Sequence, residues 1–383
     1  MLVLGVLSVA ALLWPSSQVE AHARLVTSDP PSGSALATPP AAIHLTFSET
    51  VDARFSSAEL RGADGGTLGD LPVTPDAGND RAVFLHLRDP AAITPGTYIV
   101  VWRVLSALDG HVTTGILAFS VGTGQAPTIA GLASEGLPPW WRIAIRWLKI
   151  GALLATAGGW IYGTFVARLW STGVGADAWM LRLWRRQWFL AASVLAVALF
   201  LSLIDQAALV GGETRSAWSK ATLQHVVIES RFGTSWLLLA ALLISLLLLV
   251  QAPLQNQRMW LAGTALSLIA LAALPLSGHA AAEERAALAI GVDWAHLAAA
   301  AAWLGSLAYL TVTILAWERV HPADGATALA AMVGRYSRLA LVCLVALAVS
   351  GSLNAIFHVS GMRSLTAHDY GVTLLVKLGL ILT

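Results

Sequence analysis

Hydrophobic positions change their rhythm once along this chain, near residue 138. Upstream of it, apolar and polar residues alternate in short β-rich runs at 43–47, 58–61, 82–87, 96–105 and 115–121, with Asp, Gly and Pro clusters between them. Period-two patterning bounded by turn formers predicts strands, and about a hundred such residues suffice for one β-sandwich core. Downstream, the apolar runs lengthen. Helices are predicted near 142–166, 188–210, 233–253, 259–277, 288–316 and 336–357, each able to cover a hydrocarbon core of about 30 Å. A seventh run opens near Gly371, and its 13 residues to Thr383 give only about 20 Å of helix, so the chain is expected to stop in mid-span.

A different pattern occupies the N-terminus. Residues 2–15 are almost entirely apolar, and Val19-Glu20-Ala21 places small side chains where a signal peptidase reads them. The expected organisation is a leader over 1–21, a β-sandwich over 22–122, a Gly/Pro/Ala/Ser-rich linker over 123–139, and a membrane region of about seven helices over 140–383. No Lys or Arg precedes Arg24, so an uncleaved anchor is the alternative.

Export of the sandwich fixes the orientation expected for the rest. Loops 168–187, 254–258 and 317–335 become cytoplasmic, with Arg168, Arg182, Arg185, Arg186, Arg258, Arg319 and Arg335, against Arg215, Lys220, Arg231, Arg285 and Arg363 outside. The bias agrees with the positive-inside rule. Composition adds exclusions: a net charge of +1 lacks the electrostatic footprint of nucleic-acid binding, and the single Cys343 rules out an intramolecular disulfide framework or a cysteine metal cluster. The tryptophans, among them Trp140 and Trp141, read mostly as interfacial anchors.

Cleavage after Ala21 would make His22 the first residue, placing a free amine beside an imidazole. Asp109-Gly110-His111 follows far downstream. Brought together, these groups offer imidazoles, an amine and a carboxylate without sulfur, a donor set for Cu(II) or Zn(II). In the membrane region, His225, His279, His358 and His368 fall on the external side and His321 on the other, where a lone loop histidine is ordinarily a solvated residue. Asp293, His296, Ala300 and Trp303, at offsets 0, 3, 7 and 10, share one helical stripe. An ionisable group within a span is costly unless paired or hydrated, which makes Asp293 and His296 functional candidates; the bland alternative is a structural Asp-His hydrogen bond between helices. Asp205, Gln206 and Lys377 could complete a polar vestibule, whereas Arg146 and Lys149 read as snorkelling residues.

Residues 22–122 resemble the CopC family of periplasmic copper-binding proteins, through His22-Ala23-Arg24-Leu25, Ser28-Asp29-Pro30-Pro31, Leu45-Thr46-Phe47-Ser48-Glu49 and Ser106-Ala107-Leu108-Asp109-Gly110-His111, followed by Gly115 and Phe119. From about residue 140 the chain resembles the CopD membrane family, through Ser277-Gly278-His279-Ala280, Asp293, His296, Trp303-Leu304-Gly305, Arg335-Tyr336-Ser337, Ser350-Gly351 and Tyr370-Gly371 with Lys377. The resemblance implies an all-β cupredoxin-like Greek-key sandwich followed by an all-α polytopic membrane bundle in the bacterial inner membrane. It further implies Cu(II) held by His22, Asp109 and His111, with Glu49 as an orienting neighbour or weak ligand. The region 22–122 contains no Met, so the methionine-rich Cu(I) site of some CopC proteins is not expected.

The leading expectation is copper import: the outer domain captures Cu(II), and His279, Asp293, His296, His358 and Lys377 are the candidate membrane path, along which Cu(I) remains open. A periplasmic copper donor is a candidate partner. Sequestration or sensing without transport is one alternative, and a histidine-brace copper oxygenase is another, disfavoured because a bound carboxylate would occupy coordination space that catalysis needs. Haem ligation by His296 is disfavoured for want of a second histidine at matching depth. No catalytic residue is expected.

Overall fold

The computed structural model describes residues 23–107, 110, 112–122, 139–169, 178–211, 218–254, 256–277, 286–320 and 326–358, without the side chains of 318–320, 326 and 355–358. The leader, the linker as far as residue 138 and the seventh helix of the sequence reading lie outside these residues. The described chain forms two units, one joining the N-terminal domain to Ile204–Thr234, the other built from Trp141–Leu203 and the helices that follow Ser235.

The N-terminal domain is a two-sheet sandwich. Its strands are β1 (Leu25–Asp29), β2 (Ser34–Leu36), β3 (Ala42–Phe47), β4 (Val51–Gly62), β5 (Thr67–Leu71), β6 (Val73–Asp76), β7 (Asn79–His86), β8 (Gly96–Ser106) and β9 (Val112–Val121). One sheet runs β1-β3-β7-β6 and the other β2-β9-β8-β4-β5. Pairing is antiparallel except between β2 and β9. Every alternating run predicted as a strand lies within one, except that 82–87 runs one residue past the end of β7. In β3 the alternation is literal: Ile43, Leu45 and Phe47 are buried while the residues between them are partly exposed. These side chains meet Val83 and Leu85 of β7, and Val100, Trp102, Leu117 and Phe119 of the facing sheet, to form the core. The strands that the pattern missed, β1, β2, β5 and β6, lie at or next to sheet edges, where burial imposes no alternation.

The rest of the described chain is helical. Its long elements are α1 (Trp140–Ile161, continued by a π turn, Tyr162–Val166), α2 (Ala178–Gly211), α4 (Arg231–Gln251), α5 (Gln257–Leu271) with the short α6 (Ala273–Leu276), α7 (Ala286–Ala300, then a π turn, Ala301–Gly305), α8 (Ser306–Val320) and α9 (Ala326–His358). Between α2 and α4 stands α3 (Lys220–Gln224) with a π turn, His225–Glu229. Five segments among the described residues are long and apolar enough to cross a membrane: Ala178–Gly211, Arg231–Gln251, Gln257–Leu276, Ala286–Trp317 and Thr327–Asn354. The sixth predicted span, 142–166, is also helical but carries Arg142, Arg146 and Lys149 in its first half. Arginines tie the helix ends together. Arg185 Nη2 donates to the Ala252 carbonyl just past α4 (3.0 Å), and Arg335 Nε to that of Val166 (2.6 Å), each a cation at the carbonyl-rich end of a helix.

Packing between helices uses small residues. A Cβ added at Gly158 would lie 2.5 Å from the Gly305 Cα, and one at Gly305 2.4 Å from the Leu154 carbonyl, so α1 and the Ala301–Gly305 turn meet backbone to backbone. Four tryptophans are exceptions to the mostly interfacial reading of this residue type. Trp160, Trp184, Trp188 and Trp260 are fully buried and packed on one another, mostly edge to face, with Trp184 and Trp188 stacked and centroids 4.6–6.4 Å apart. Trp184 donates to the Gly159 carbonyl, Trp188 to Thr156 and Trp260 to Leu254. An indole whose N–H finds a carbonyl is a large core residue. Trp140 and Trp147, by contrast, are exposed.

Candidate metal centre

Three chain segments converge at one end of the sandwich. Ala23 is fully buried and begins the described chain. Next to it, Arg24 N–H donates to Ser48 Oγ (3.0 Å), and Ser48 N–H returns a bond to the Arg24 carbonyl (2.9 Å). This exchange fixes the strand that follows position 22 against the residue before Glu49. The Glu49 side chain is itself buried, and its Oε2 accepts the Ser106 hydroxyl at 2.9 Å. Ser106 ends β8 opposite Val51, and from there the chain turns: Ala107 N–H donates to the Thr50 carbonyl (2.9 Å) and Gly110 N–H to that of Ser106 (3.1 Å). Gly110 sits at φ +72, a left-handed conformation that suits a residue without Cβ.

Of the residues expected to hold metal, only Glu49 is described; His22, Asp109 and His111 lie outside the described residues, as do His279 and Lys377. In sequence, each of the three sandwich residues adjoins a described one. His22 precedes buried Ala23, while Asp109 and His111 flank Gly110. Glu49 stands between these anchors through Ser48 and Ser106. Among the described residues no group of three His, Cys, Asp or Glu side chains is arranged to hold a metal ion.

A segment distant in sequence joins the same unit. Gln206, near the end of α2, donates from Nε2 to the Gly110 carbonyl at 2.8 Å. His225, which the sequence suggested as a solvated loop residue, is 8% exposed. It stacks on Phe55 of β4 and directs Nδ1 to Glu229 (3.3 Å) and Asp52 (3.9 Å). Arg54 closes the group, bonding both carboxylate oxygens of Asp52 (3.1 and 2.7 Å) and reaching Glu229 at 3.5 Å. Burial works to raise the Asp52 carboxyl, but the Arg54 side-chain and backbone hydrogen bonds and charge, with His225, outweigh it and hold it below its usual range.

In the helical unit, Asp293 and His296 of α7 both find partners on α9. Asn354 Nδ2 donates to Asp293 Oδ1 at 2.6 Å, and His296 Nδ1 lies 3.0 Å from Ser350 Oγ. The stripe 293–303 thus faces another helix, as its composition suggested. Sequence reasoning missed Asn354 as a partner, although Ser350 and Asn354 stand four apart and match the stripe opposite. His358 closes α9, with its side chain outside the description.

Comparisons with known proteins bear on both units. A family model described as "CopC domain" matches residues 25–122, one described as "Copper resistance protein D-like, N-terminal domain" matches 133–289, and "Copper resistance protein D" matches 330–383. The copper transport protein CutJ of Bacillus subtilis is 29% identical over 377 residues, which cover 94% of this chain and 65% of CutJ. Protein YobA of Escherichia coli is 37% identical over 111 residues, covering 29% of this chain and 86% of YobA. Copper resistance protein C of Pseudomonas syringae is 34% identical, covering 29% of this chain and 90% of that protein. Among solved structures, CopC from Methylosinus trichosporium is 28% identical with a TM-score of 0.24, covering 26% of this chain and 93% of that one. PcoC, a methionine-rich copper resistance protein from Escherichia coli, is 33% identical with a TM-score of 0.23, covering 26% and 98%.

Proposed function

Because the chain belongs to the CopC/CopD copper transport and resistance family, with a CopC domain followed by CopD-like domains, we propose that its sandwich captures Cu(II) outside the bacterial inner membrane and that the helical unit carries copper inward. The observation that carries this reading is the convergence of Ala23, Glu49 and Gly110, the placed neighbours of His22, Asp109 and His111. In the proposed site, the His22 amine and imidazole, the Asp109 carboxylate and the His111 imidazole bind the ion. Glu49, fixed by Ser106, orients a ligand or takes a weak contact. A set of nitrogen and oxygen donors without thioether or thiolate favours Cu(II) over Cu(I).

Asp293 and His296 are the membrane residues we assign to the copper path, with His279, His358 and Lys377 as further candidates. Each of the first two is paired with a neutral side chain that can donate or accept a hydrogen bond, an arrangement that lowers the cost of polar groups within a span. The protein is then a carrier and not an enzyme, with copper as its cargo. Cellular copper tests this reading. Expression should raise accumulation, and His296→Ala should return it towards the level without expression; equal copper in all three strains would contradict transport, and copper tolerance without altered accumulation would favour sequestration.

A further inference from the structure

We propose that Ser350 is a positioning residue for His296: its hydroxyl fixes which imidazole nitrogen carries the hydrogen, and so presents Nε2 as the nitrogen that meets a cation. The inference rests on the place given to His296 under Proposed function and deepens it. Ser350 is buried and belongs to α9. Its Oγ stands 2.6 Å from the Ala346 carbonyl one turn earlier, with the Leu347 carbonyl a longer second acceptor at 3.4 Å, and lies 3.0 Å from His296 Nδ1 on α7. A hydroxyl has one hydrogen to give and two lone pairs with which to accept. Two oxygens approach to 2.6 Å only with a hydrogen between them, so the Ser350 hydrogen lies toward Ala346. Ser350 then accepts from the ring, and Nδ1–H is the donor. In the neutral imidazole the other nitrogen, Nε2, bears the lone pair, and a lone pair is what a metal ion takes from histidine.

The surroundings hold the ring in this relation to α9. A Cβ added at Gly351 would lie 3.7 Å from His296 Cε1, an ordinary contact, so the ring edge between its two nitrogens lies beside α9 at the next residue. One turn further along α9, Asn354 Nδ2 donates to Asp293 Oδ1 at 2.6 Å, three residues before His296. Two bonds one helical turn apart set the rotation of α7 against α9. The chemistry of the acceptor matters as much as its place. A carboxylate accepting from Nδ1 would raise the basicity of Nε2 and tighten its hold on a metal, whereas a hydroxyl is a neutral and weaker acceptor. Ser350 therefore orients a ligand without making it a retentive one, which suits a residue that passes its cargo on.

The test pairs two readouts on the full chain: nitrogen solid-state NMR of isotope-labelled histidine in lipid nanodiscs, and copper uptake by expressing cells given a copper salt. The His296 ring signals are those that His296→Ala removes. In the parent, Nδ1 should carry the hydrogen and Nε2 the lone pair. Ser350→Ala should replace this with a mixture of the two tautomers and slow copper uptake about tenfold. Ser350→Thr, whose hydroxyl can make the same bond to the carbonyl one turn back, should restore both. A parent ring with its hydrogen on Nε2, or a Ser350→Ala protein with the parent's tautomer and uptake, would overturn the role of Ser350. Unchanged uptake in His296→Ala would instead overturn the copper-path reading, and the transport role of Ser350 with it, even where the tautomer proves fixed. Should Ser350→Ala not fold, Ser350→Cys, of similar size and a weaker acceptor, reads the same outcomes.

Discussion

The Ser106 hydroxyl donates to the Glu49 carboxylate across the mouth of the sandwich, 2.9 Å apart and both buried. Position 106 ends β8 and position 49 lies in the turn between β3 and β4, so the bond clasps the two segments that flank the proposed metal loop. A buried carboxylate deprived of a donor is costly. Ser106→Ala should destabilise the metal-free protein by about 1–3 kcal/mol, seen as a lower unfolding midpoint, and should weaken Cu(II) binding as well. Glu49→Gln keeps a hydrogen-bonding group in place, and is expected to preserve more stability than Ser106→Ala while still reducing affinity.

Acid should release the contact between β4 and the His225–Glu229 turn in a defined direction. The folded Asp52 carboxyl lies below its ordinary range, so its contribution is complete above the unfolded carboxylate value and is lost as pH falls through the lowered one. Arg54→Ala removes the side-chain hydrogen bonds and the charge that help to offset burial, which raises the folded value and moves acid unfolding to higher pH. An acid titration of tryptophan fluorescence on both proteins reads this; identical midpoints would contradict it.

Strands and spans were legible because burial writes a period into the chain. Ile43, Leu45 and Phe47 alternate since one face of β3 is covered and the other is not. Edge strands such as β1 and β6 bury little and leave no such trace. Trp184, Trp188 and Trp260 stand apart for a related reason: composition alone cannot tell an interfacial indole from a buried one whose N–H meets a carbonyl, and that partner is a tertiary fact. His225 looked like a loop residue because its neighbours Phe55 and Asp52 come from a strand 170 or more residues away. The stripe of Asp293 and His296 was visible as a helical spacing, yet its pairing with Ser350 and Asn354 needed two helices in register.

Backbone contact between α1 and the Ala301–Gly305 turn leaves no room for a side chain. Gly305→Val should destabilise the helical unit by about 1–3 kcal/mol, measured as a lower thermal midpoint in nanodiscs, whereas Gly334→Ala, with open space around its Cα, should be close to neutral. Equal effects would mean that the close approach does not govern helix packing.

The paired polar groups of α7 and α9 separate a structural role from a transport role. Asn354→Leu removes the donor to Asp293 and, at about 1 kcal/mol for a hydrogen bond between membrane helices, should leave the protein folded. Copper accumulation is nevertheless expected to fall. Full accumulation in this variant and in His296→Ala would remove both residues from the path.

Titration of the protein that begins at His22 with Cu(II), followed by electron paramagnetic resonance, tests the central claim most directly. One ion per sandwich with nitrogen hyperfine structure is expected, and the signal should change when a single residue is added before His22 or when His111 is replaced by Ala. Uptake and a spectrum indifferent to both alterations would show that the cupric ion sits elsewhere.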